Sequence, residues 1–92
     1  MCGIAGLIGR KSTYFADKVI SKLRHRGPDA FGKWHSLSNN YPVNLCHTRL
    51  NIFDNTSIGN QPLISKDKRF IFIFNGEIYN FLELKEDLKA KG

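Results

Sequence analysis

The chain begins with the stretch Met1-Cys2-Gly3-Ile4-Ala5-Gly6-Leu7-Ile8-Gly9, in which a cysteine follows the initiator methionine and precedes an apolar run interrupted by glycines. Residues 3–8 are predicted to form a short buried strand. If Met1 is removed, Cys2 carries a thiol and a free α-amine on one residue. Because such groups ordinarily lose their protons in the same pH range, the amine can serve as the base that activates the thiol. The alternative is that Cys2 is an ordinary buried strand residue.

The length and composition indicate one small globular domain or part of one. The chain has 92 residues, and 41% of them are hydrophobic, which is ordinary for a protein with a packed core. No apolar run approaches the roughly 20 residues that a membrane-spanning helix needs. The N-terminal run also lacks the leading charge of a signal peptide. We therefore expect a cytoplasmic protein that does not bind membranes.

The cysteines, the histidines and the positive charge all have simple interpretations. Cys2 and Cys46 form neither a disulfide framework nor a Cys-x-x-Cys zinc pattern, and His25, His35 and His47 lack metal-ligand spacing. We therefore predict no metal site and structural histidines, and we interpret Cys46 as a small buried apolar residue. The formal net charge of +6 arises from lysines and arginines scattered among acids. This dispersal favours a solvated surface over nucleic-acid binding.

Hydrophobic periodicity predicts two helices and several strands. After the strand at 3–8 we expect a helix from a Ser12 or Thr13 cap to about Leu23, and then strands at 31–37, 43–50 and 69–74. A second helix is expected after an Asn80 cap, with the Glu83 side chain reaching back to the cap. The apolar face of this second helix consists of Phe81, Leu84 and Leu88. Alternation along the strand at 43–50 places Cys46 and His47 on opposite faces. This order of elements favours an α+β fold, with antiparallel sheet covered by helices.

Four short motifs carry the candidate chemistry. They are Met1-Cys2-Gly3-Ile4, Arg26-Gly27-Pro28-Asp29, His47-Thr48-Arg49-Leu50 and Phe74-Asn75-Gly76-Glu77-Ile78-Tyr79-Asn80. Each alone is weak, since an Asn-Gly pair is usually a turn and a lone arginine is usually a surface residue. Together and in this order they resemble the N-terminal glutaminase domain of class II glutamine amidotransferases, which are N-terminal nucleophile (Ntn) hydrolases. Within that class they are most similar to the glutamine-hydrolysing asparagine synthetase family.

The resemblance assigns roles to single residues. It implies that Cys2 attacks the side-chain amide of glutamine to form a γ-glutamyl thioester, and that Asn75 and Gly76 supply the oxyanion hole. It also implies that Arg49 binds the α-carboxylate of glutamine and that Arg26 and Asp29 brace the surroundings of the nucleophile. The residues implied to line the glutamine pocket are Leu50, Asn51, Ile52, Phe53 and Glu77. The alternatives are a helix-ending loop with a local ion pair for Arg26 and Asp29, and a plain turn for Asn75-Gly76.

The resemblance also implies a fold and a set of partners. Residues 1–92 are expected to be the N-terminal portion of an αββα Ntn-hydrolase sandwich with mostly antiparallel sheets, truncated before the sandwich is complete. The glutaminase step needs no cofactor, and ATP and magnesium enter only through an ATP-dependent synthetase domain absent from this chain. L-glutamine is the expected substrate, and its ammonia is expected to serve asparagine synthesis by that partner domain. The ammonia acceptor, a homodimeric state and the activity of the 92-residue piece alone stay open.

Two other functions remain as alternatives. Another class II amidotransferase would make glucosamine phosphate, phosphoribosylamine or glutamate, although the motifs at 26–29 and 75–80 favour the asparagine synthetase type. A non-catalytic basic module that binds RNA or a protein partner would instead show clustered lysines and arginines together with exposed aromatic residues.

Overall fold

The structure, a computed structural model, describes residues 1–10, 12–36, 38, 40–52 and 56–92. Its elements in chain order are strand β1 (Gly3–Ile8), helix α1 (Phe15–Leu23), strands β2 (Ala30–His35) and β3 (Val43–Arg49), a 3-10 turn (Ser57–Gly59), strands β4 (Leu63–Ile64) and β5 (Ile71–Phe72), and helix α2 (Phe81–Lys91). One sheet has the order β1-β3-β2, the other is β4-β5, and both pair antiparallel. The predicted α+β fold with mostly antiparallel sheets is confirmed, whereas the complete two-sheet sandwich stays a prediction.

The three-stranded sheet is centred on β3, and its register brings three distant parts of the chain to one end. The first residue of β1 pairs with Thr48, and the first residue of β2 pairs with Arg49. At this end of the sheet Cys2 precedes β1, Asp29 precedes β2, and Arg49 is the last residue of β3. Antiparallel pairing therefore brings residues from three of the four motifs together at one end of the sheet.

Helix α1 covers one face of this sheet. Ala16 and Ile20 of the helix pack against Cys46 of β3 to form a small buried core. An exposed ion pair, with 2.8 Å between Lys33 Nζ and Asp17 Oδ1, also joins β2 to the helix. Because exposed pairs of this kind stabilise little, the apolar cluster and the 3.2 Å hydrogen bond from Thr48 Oγ1 to the Leu23 carbonyl contribute more to this packing.

The start of α1 differs from the prediction, whereas its end at Leu23 agrees. The helix begins at Phe15 because its first backbone hydrogen bond joins the Lys18 N–H to the Tyr14 carbonyl at 3.1 Å. Tyr14 is thus the N-cap residue, and its side chain makes no capping bond to a described residue. The predicted Ser12 or Thr13 cap is wrong, since both residues precede the first helical turn.

Strand predictions were accurate for the sheet that contains β3 and poor for the smaller one. The strand at 3–8 is confirmed, but its predicted burial is wrong, since Ile4 and Ile8 are exposed and α1 covers only one face of this sheet. The strands predicted at 31–37 and 43–50 are displaced by only one or two residues at their ends; Leu37 lies outside the described residues. The strand predicted at 69–74 is reduced to Ile71–Phe72, since its partner β4 has only two residues. β4 was not predicted, because two residues are too few to show alternation.

The chain that leads into β4 lies on the face of the larger sheet opposite to α1. Gly32 pairs with His47, and Lys33 pairs with Cys46 on the helix-facing side. A Cβ atom on Gly32 would overlap the carbonyl oxygen of Gln61. The backbone at Gln61 therefore rests directly on β2, where only a glycine leaves room for it.

Helix α2 starts after Asn80 as predicted, with a 3.1 Å hydrogen bond from the Leu84 N–H to the Asn80 carbonyl. The predicted capping box is wrong, since the Asn80 side chain makes no cap bond to a described residue. The apolar residues Phe81, Leu84 and Leu88 are 57%, 42% and 68% exposed, so this face of the helix lies at the surface. In the described part of the chain, neither helix combines the length and apolarity needed to cross a bilayer.

Candidate active site

Cys2 lies half-buried at the sheet edge where β3 ends. The backbone N–H of Leu50 donates a hydrogen bond to Cys2 Sγ at 3.4 Å. On the backbone side, Arg26 Nε donates to the Cys2 carbonyl oxygen at 3.1 Å. Both the sulfur and the main chain of Cys2 are thus held by residues far away in sequence.

The loop at 26–29 is hydrogen-bonded to the end of β3 and to the chain that follows it. The Asp29 N–H donates to the Arg49 carbonyl at 3.0 Å, and Asp29 Oδ2 accepts a hydrogen bond from the Asn51 N–H at 2.7 Å. Gly27 is buried, and a Cβ atom there would stand 2.5 Å from the Arg49 backbone nitrogen. This close approach requires glycine. Arg26 therefore contacts Cys2 itself and Asp29 contacts the chain that follows Arg49; their bracing role stays a prediction.

Arg49 is buried, and its guanidinium has partners in the following loop. Nη1 donates to the Thr56 carbonyl at 2.6 Å and to Asn60 Oδ1 at 2.8 Å. Gly59 lies against the same group, since an added Cβ would stand 2.6 Å from Nη2. Charge-assisted bonds of this kind are about twice as strong as neutral ones. The planar guanidinium is thus held in one orientation at the edge of the sheet.

Asn75 and Gly76 are exposed, and the chain just before them is anchored by a side chain. Gln61 Oε1 accepts a hydrogen bond from the Phe74 N–H at 2.5 Å. The Phe74 ring lies beside Gly76, where an added Cβ would stand 2.9 Å from Phe74 Cζ. The chain bends at Gly76, and its approach to the sheet is determined by the contact of Gln61 with Phe74.

These groups surround one cleft of ≈ 540 Å³. The cleft is lined by Met1, Cys2, Arg49, Leu50, Asn51, Ile52, Gln61, Phe74, Asn75, Gly76, Glu77 and Tyr79. It contains every residue predicted for catalysis or glutamine binding except Phe53, which lies outside the described residues. A separate cavity of ≈ 400 Å³ between α1 and β2 contains none of the predicted residues.

Gln61, Phe74 and Tyr79 line the cleft although no role was predicted for them. Phe74 and Tyr79 belong to the motif that contains Asn75-Gly76, so their position beside the predicted residues was a usable signal. Gln61 had no such signal, since a glutamine before a proline is ordinary in a turn-rich loop. Asn60, which binds Arg49, was missed for the same reason.

Two buried groups on β3 have shifted pKa values. Burial raises the pKa of the Cys46 thiol, which the Ala5 carbonyl opposes by accepting from Sγ at 3.7 Å. Burial, and then the positive charge of Arg49, lower the pKa of His47. The Phe74 backbone opposes this lowering, but neither ring nitrogen reaches hydrogen-bond geometry with a described residue. Cys46 therefore stays a thiol and His47 stays neutral near neutral pH.

No cluster of three or more metal-ligating side chains occurs among residues 1–10, 12–36, 38, 40–52 and 56–92. Both cysteines are free thiols. The arrangement therefore presents a half-buried thiol, a cationic fork and an Asn-Gly turn around one cleft. A thiol can attack a carbonyl carbon, and the other two groups can bind an anionic end and a developing oxyanion.

Comparison with known proteins gives matches along the whole chain. A family model described as "Glutamine amidotransferase domain" matches residues 1–92. Asparagine synthetase [glutamine-hydrolyzing] of Zea mays is 43% identical over 95 residues, with 98% of this chain covered. Asparagine synthetase [glutamine-hydrolyzing] 1 of Bacillus subtilis (strain 168) is 38% identical over 99 residues, with 100% covered. The chain spans only about 15% of the length of these relatives. No solved structure matches it.

Proposed function

Because the chain belongs to the glutamine amidotransferase domain family, we propose that it hydrolyses the side-chain amide of L-glutamine, with Cys2 as the nucleophile. The observation that carries this proposal is that Cys2, Arg49 and Asn75-Gly76 line the same cleft. A catalytic thiol, a carboxylate-binding fork and an oxyanion site are the three parts that amide hydrolysis of an α-amino acid requires.

The reaction proceeds in two steps. Once Met1 has been removed, the α-amine of Cys2 takes the thiol proton, and the sulfur bonds to the amide carbon. The carbon–nitrogen bond then breaks, and the amine passes its proton to the departing ammonia. Water adds to the resulting γ-glutamyl thioester, the carbon–sulfur bond breaks, and the proton lost by water restores the thiol. The products are glutamate and ammonia.

Arg49 and the Asn75-Gly76 turn stabilise different parts of the substrate. The planar fork of Arg49 suits bidentate binding of the α-carboxylate. The Asn75 side-chain amide and the Gly76 N–H supply two donors for the oxyanion of the tetrahedral intermediates. Losing one such donor typically costs about 3–4 kcal/mol of transition-state stabilisation. Leu50, Asn51, Ile52 and Glu77 form walls of the glutamine pocket.

Arg26 and Asp29 act on the reaction by holding the chain around the nucleophile. Arg26 binds the Cys2 carbonyl, and Asp29 binds the Asn51 N–H. Together they keep Cys2 in position relative to the pocket wall. Since a misplacement of about 1 Å can cost roughly 100-fold in rate, these contacts matter although neither residue reacts.

The proposal extends to the larger protein through the names of the relatives. They are called glutamine-hydrolysing asparagine synthetases, so we propose that the ammonia serves asparagine synthesis by an ATP-dependent domain. ATP and magnesium belong to that domain. On this proposal residues 1–92 are the N-terminal portion of the glutaminase domain, and the exposed apolar residues of α2 are covered by the rest of that domain.

A non-catalytic basic module has one observation in its favour. Several aromatic residues are exposed, namely Tyr14, Phe31, Tyr41, Phe70, Phe72, Tyr79 and Phe81. Exposed aromatics also occur on a domain face that another segment covers. The family and the composition of the cleft favour the enzyme, and RNA binding without glutamine hydrolysis would favour the module.

The natural full-length protein provides the test. Intact mass should show the loss of Met1, glutamine should yield glutamate, and a diazoketone analogue of glutamine should modify Cys2. Cys2→Ala should abolish turnover, whereas Cys46→Ala, the matched control that removes the other thiol, should retain it. Modification at another residue, or equal turnover by protein that retains Met1, would contradict the proposed mechanism.

A further inference from the structure

We infer that residues 57–62, here called the strap, position both halves of the glutamine site. Within the strap, Asn60 orients Arg49 for substrate binding. Gln61 holds the chain that carries Asn75-Gly76 in place for oxyanion stabilisation. This inference rests on the proposed function and adds two positioning residues to it.

The strap is seated firmly enough to act as a support. Its 3-10 turn, Ser57–Gly59, is closed by a 3.0 Å hydrogen bond from the Asn60 N–H to the Ser57 carbonyl. Further along, the Gln61 carbonyl rests on Gly32 of β2, at a point where a Cβ atom would overlap it. The backbone of the strap therefore rests on β2 of the three-stranded sheet.

The first contact of the strap orients the arginine. Asn60 Oδ1 accepts from Arg49 Nη1 at 2.8 Å, next to the Thr56 carbonyl at 2.6 Å. Gly59 provides the space that the guanidinium occupies. An amide is suited to this role because it orients the guanidinium without neutralising its charge. A carboxylate at the same place would compete with the carboxylate of the substrate.

The second contact holds the oxyanion turn. Strand β5 ends at Phe72, so the sheet does not continue as far as Phe74. Gln61 Oε1 accepts from the Phe74 N–H at 2.5 Å and so replaces a strand partner. The next two residues are Asn75 and Gly76. An oxyanion donor must stand about 3 Å from the developing charge, so the position of this chain determines its efficiency.

Loss of the first contact should change KM, whereas loss of the second should change kcat. A purely structural role of the strap would not separate the two constants in this way. The α-carboxylate is bound equally in the ground state and the transition state, so a fault in Arg49 raises KM. Oxyanion donors act chiefly in the transition state, so a fault at Asn75-Gly76 lowers kcat. A general loss of folded protein would instead lower the apparent kcat of both kinds of variant alike.

The experiment compares two variant pairs in the natural full-length protein. Asn60→Leu, which removes the acceptor at similar size, should raise KM for glutamine roughly 10- to 100-fold with kcat within about twofold. The control Asn40→Leu, at an exposed position outside the cleft, should leave both constants unchanged. Gln61→Met, which removes the acceptor at similar size, should lower kcat roughly 10- to 100-fold with KM within about threefold. Gln61→Glu keeps an acceptor oxygen and should restore most of kcat.

Hydrogen exchange separates this inference from the proposed function. Gln61→Met should speed exchange of the Phe74 amide at least about tenfold, and Gln61→Glu should not. That result does not depend on turnover, so an inactive wild type would refute the proposed function alone. An active wild type in which both variants change KM and kcat together, or change neither, would overturn the inference. If Gln61→Met fails to fold, the change in KM caused by substitution of Asn60, which is exposed, decides whether the inference holds.

Discussion

Gly59→Ala tests whether a backbone contact outside the predicted motifs controls substrate binding. An added Cβ would stand 2.6 Å from Arg49 Nη2 and 3.0 Å from Cζ. Ordinary contact between such atoms begins near 3.4 Å, so the guanidinium would have to move by about 0.8 Å. We expect that move to weaken the 2.6 Å bond from Nη1 to Thr56 and the 2.8 Å bond from Nη1 to Asn60.

The cost follows from the bond that is lost. A hydrogen bond to a charged group is worth about 1.5–3 kcal/mol, so a misplaced Arg49 should raise KM for glutamine roughly 10- to 150-fold. The effect on kcat should be small, because the α-carboxylate is remote from the reacting amide. Initial rates of glutamate formation over a range of glutamine concentrations measure both constants.

Gly9→Ala is the matched control. Gly9 has a φ of +84° and no atom within 4 Å of an added Cβ, so alanine there strains the backbone away from the cleft. It should lower Tm, since a left-handed conformation costs an alanine about 1–2 kcal/mol, and it should leave KM unchanged. A KM for Gly59→Ala within twofold of the natural protein, with folding intact, would refute the reasoning about Arg49.

Three further predictions concern the thiols, the buried histidine and the arginine fork. In native protein iodoacetamide should alkylate Cys2 and spare Cys46 until denaturation, because Cys46 is 0% exposed and burial raises the pKa of its thiol; equal rates by mass spectrometry would contradict this. Burial lowers the pKa of His47, so the unfolded chain binds its proton more readily and the free energy of unfolding should fall as pH drops below about 6.5. Urea unfolding should show that His47→Gln reduces this dependence; an identical pH profile would oppose it. Arg49→Lys should raise KM about 10-fold or more, since lysine cannot form a bidentate fork; an unchanged KM would remove Arg49 from substrate binding.

The larger sheet was predictable because its signals are local. Alternation along β3 placed Cys46 and His47 on opposite faces, and the apolar periodicity placed the end of α1 at Leu23, as the structure confirms. The start of α1 and the extent of β5 were less predictable. Tyr14 became the N-cap, and β5 is limited by the length of β4, which no residue of β5 specifies.

The residues of the candidate site also fall into a predictable group and an unpredictable group. The family resemblance carried by the four motifs was enough to select Cys2, Arg49 and Asn75-Gly76, which line one cleft in the structure. The supporting contacts of Asn60 and Gln61 were not predictable. Neither residue type has a chemical preference for the position, and each contact joins segments whose meeting depends on the whole fold.

The chain's own chemistry determines which groups can react: a thiol beside an amine, a guanidinium and an Asn-Gly turn are properties of neighbouring residues. Only the folded chain decides whether they meet. Cys2 and Gly76 are brought to one cleft by the antiparallel register of β1 on β3 and by the seating of Gln61 on Gly32. The physical reason is the distance along the chain over which each effect acts. Reactivity and turn preference depend on neighbouring residues, whereas register and close packing depend on contacts between segments far apart in sequence.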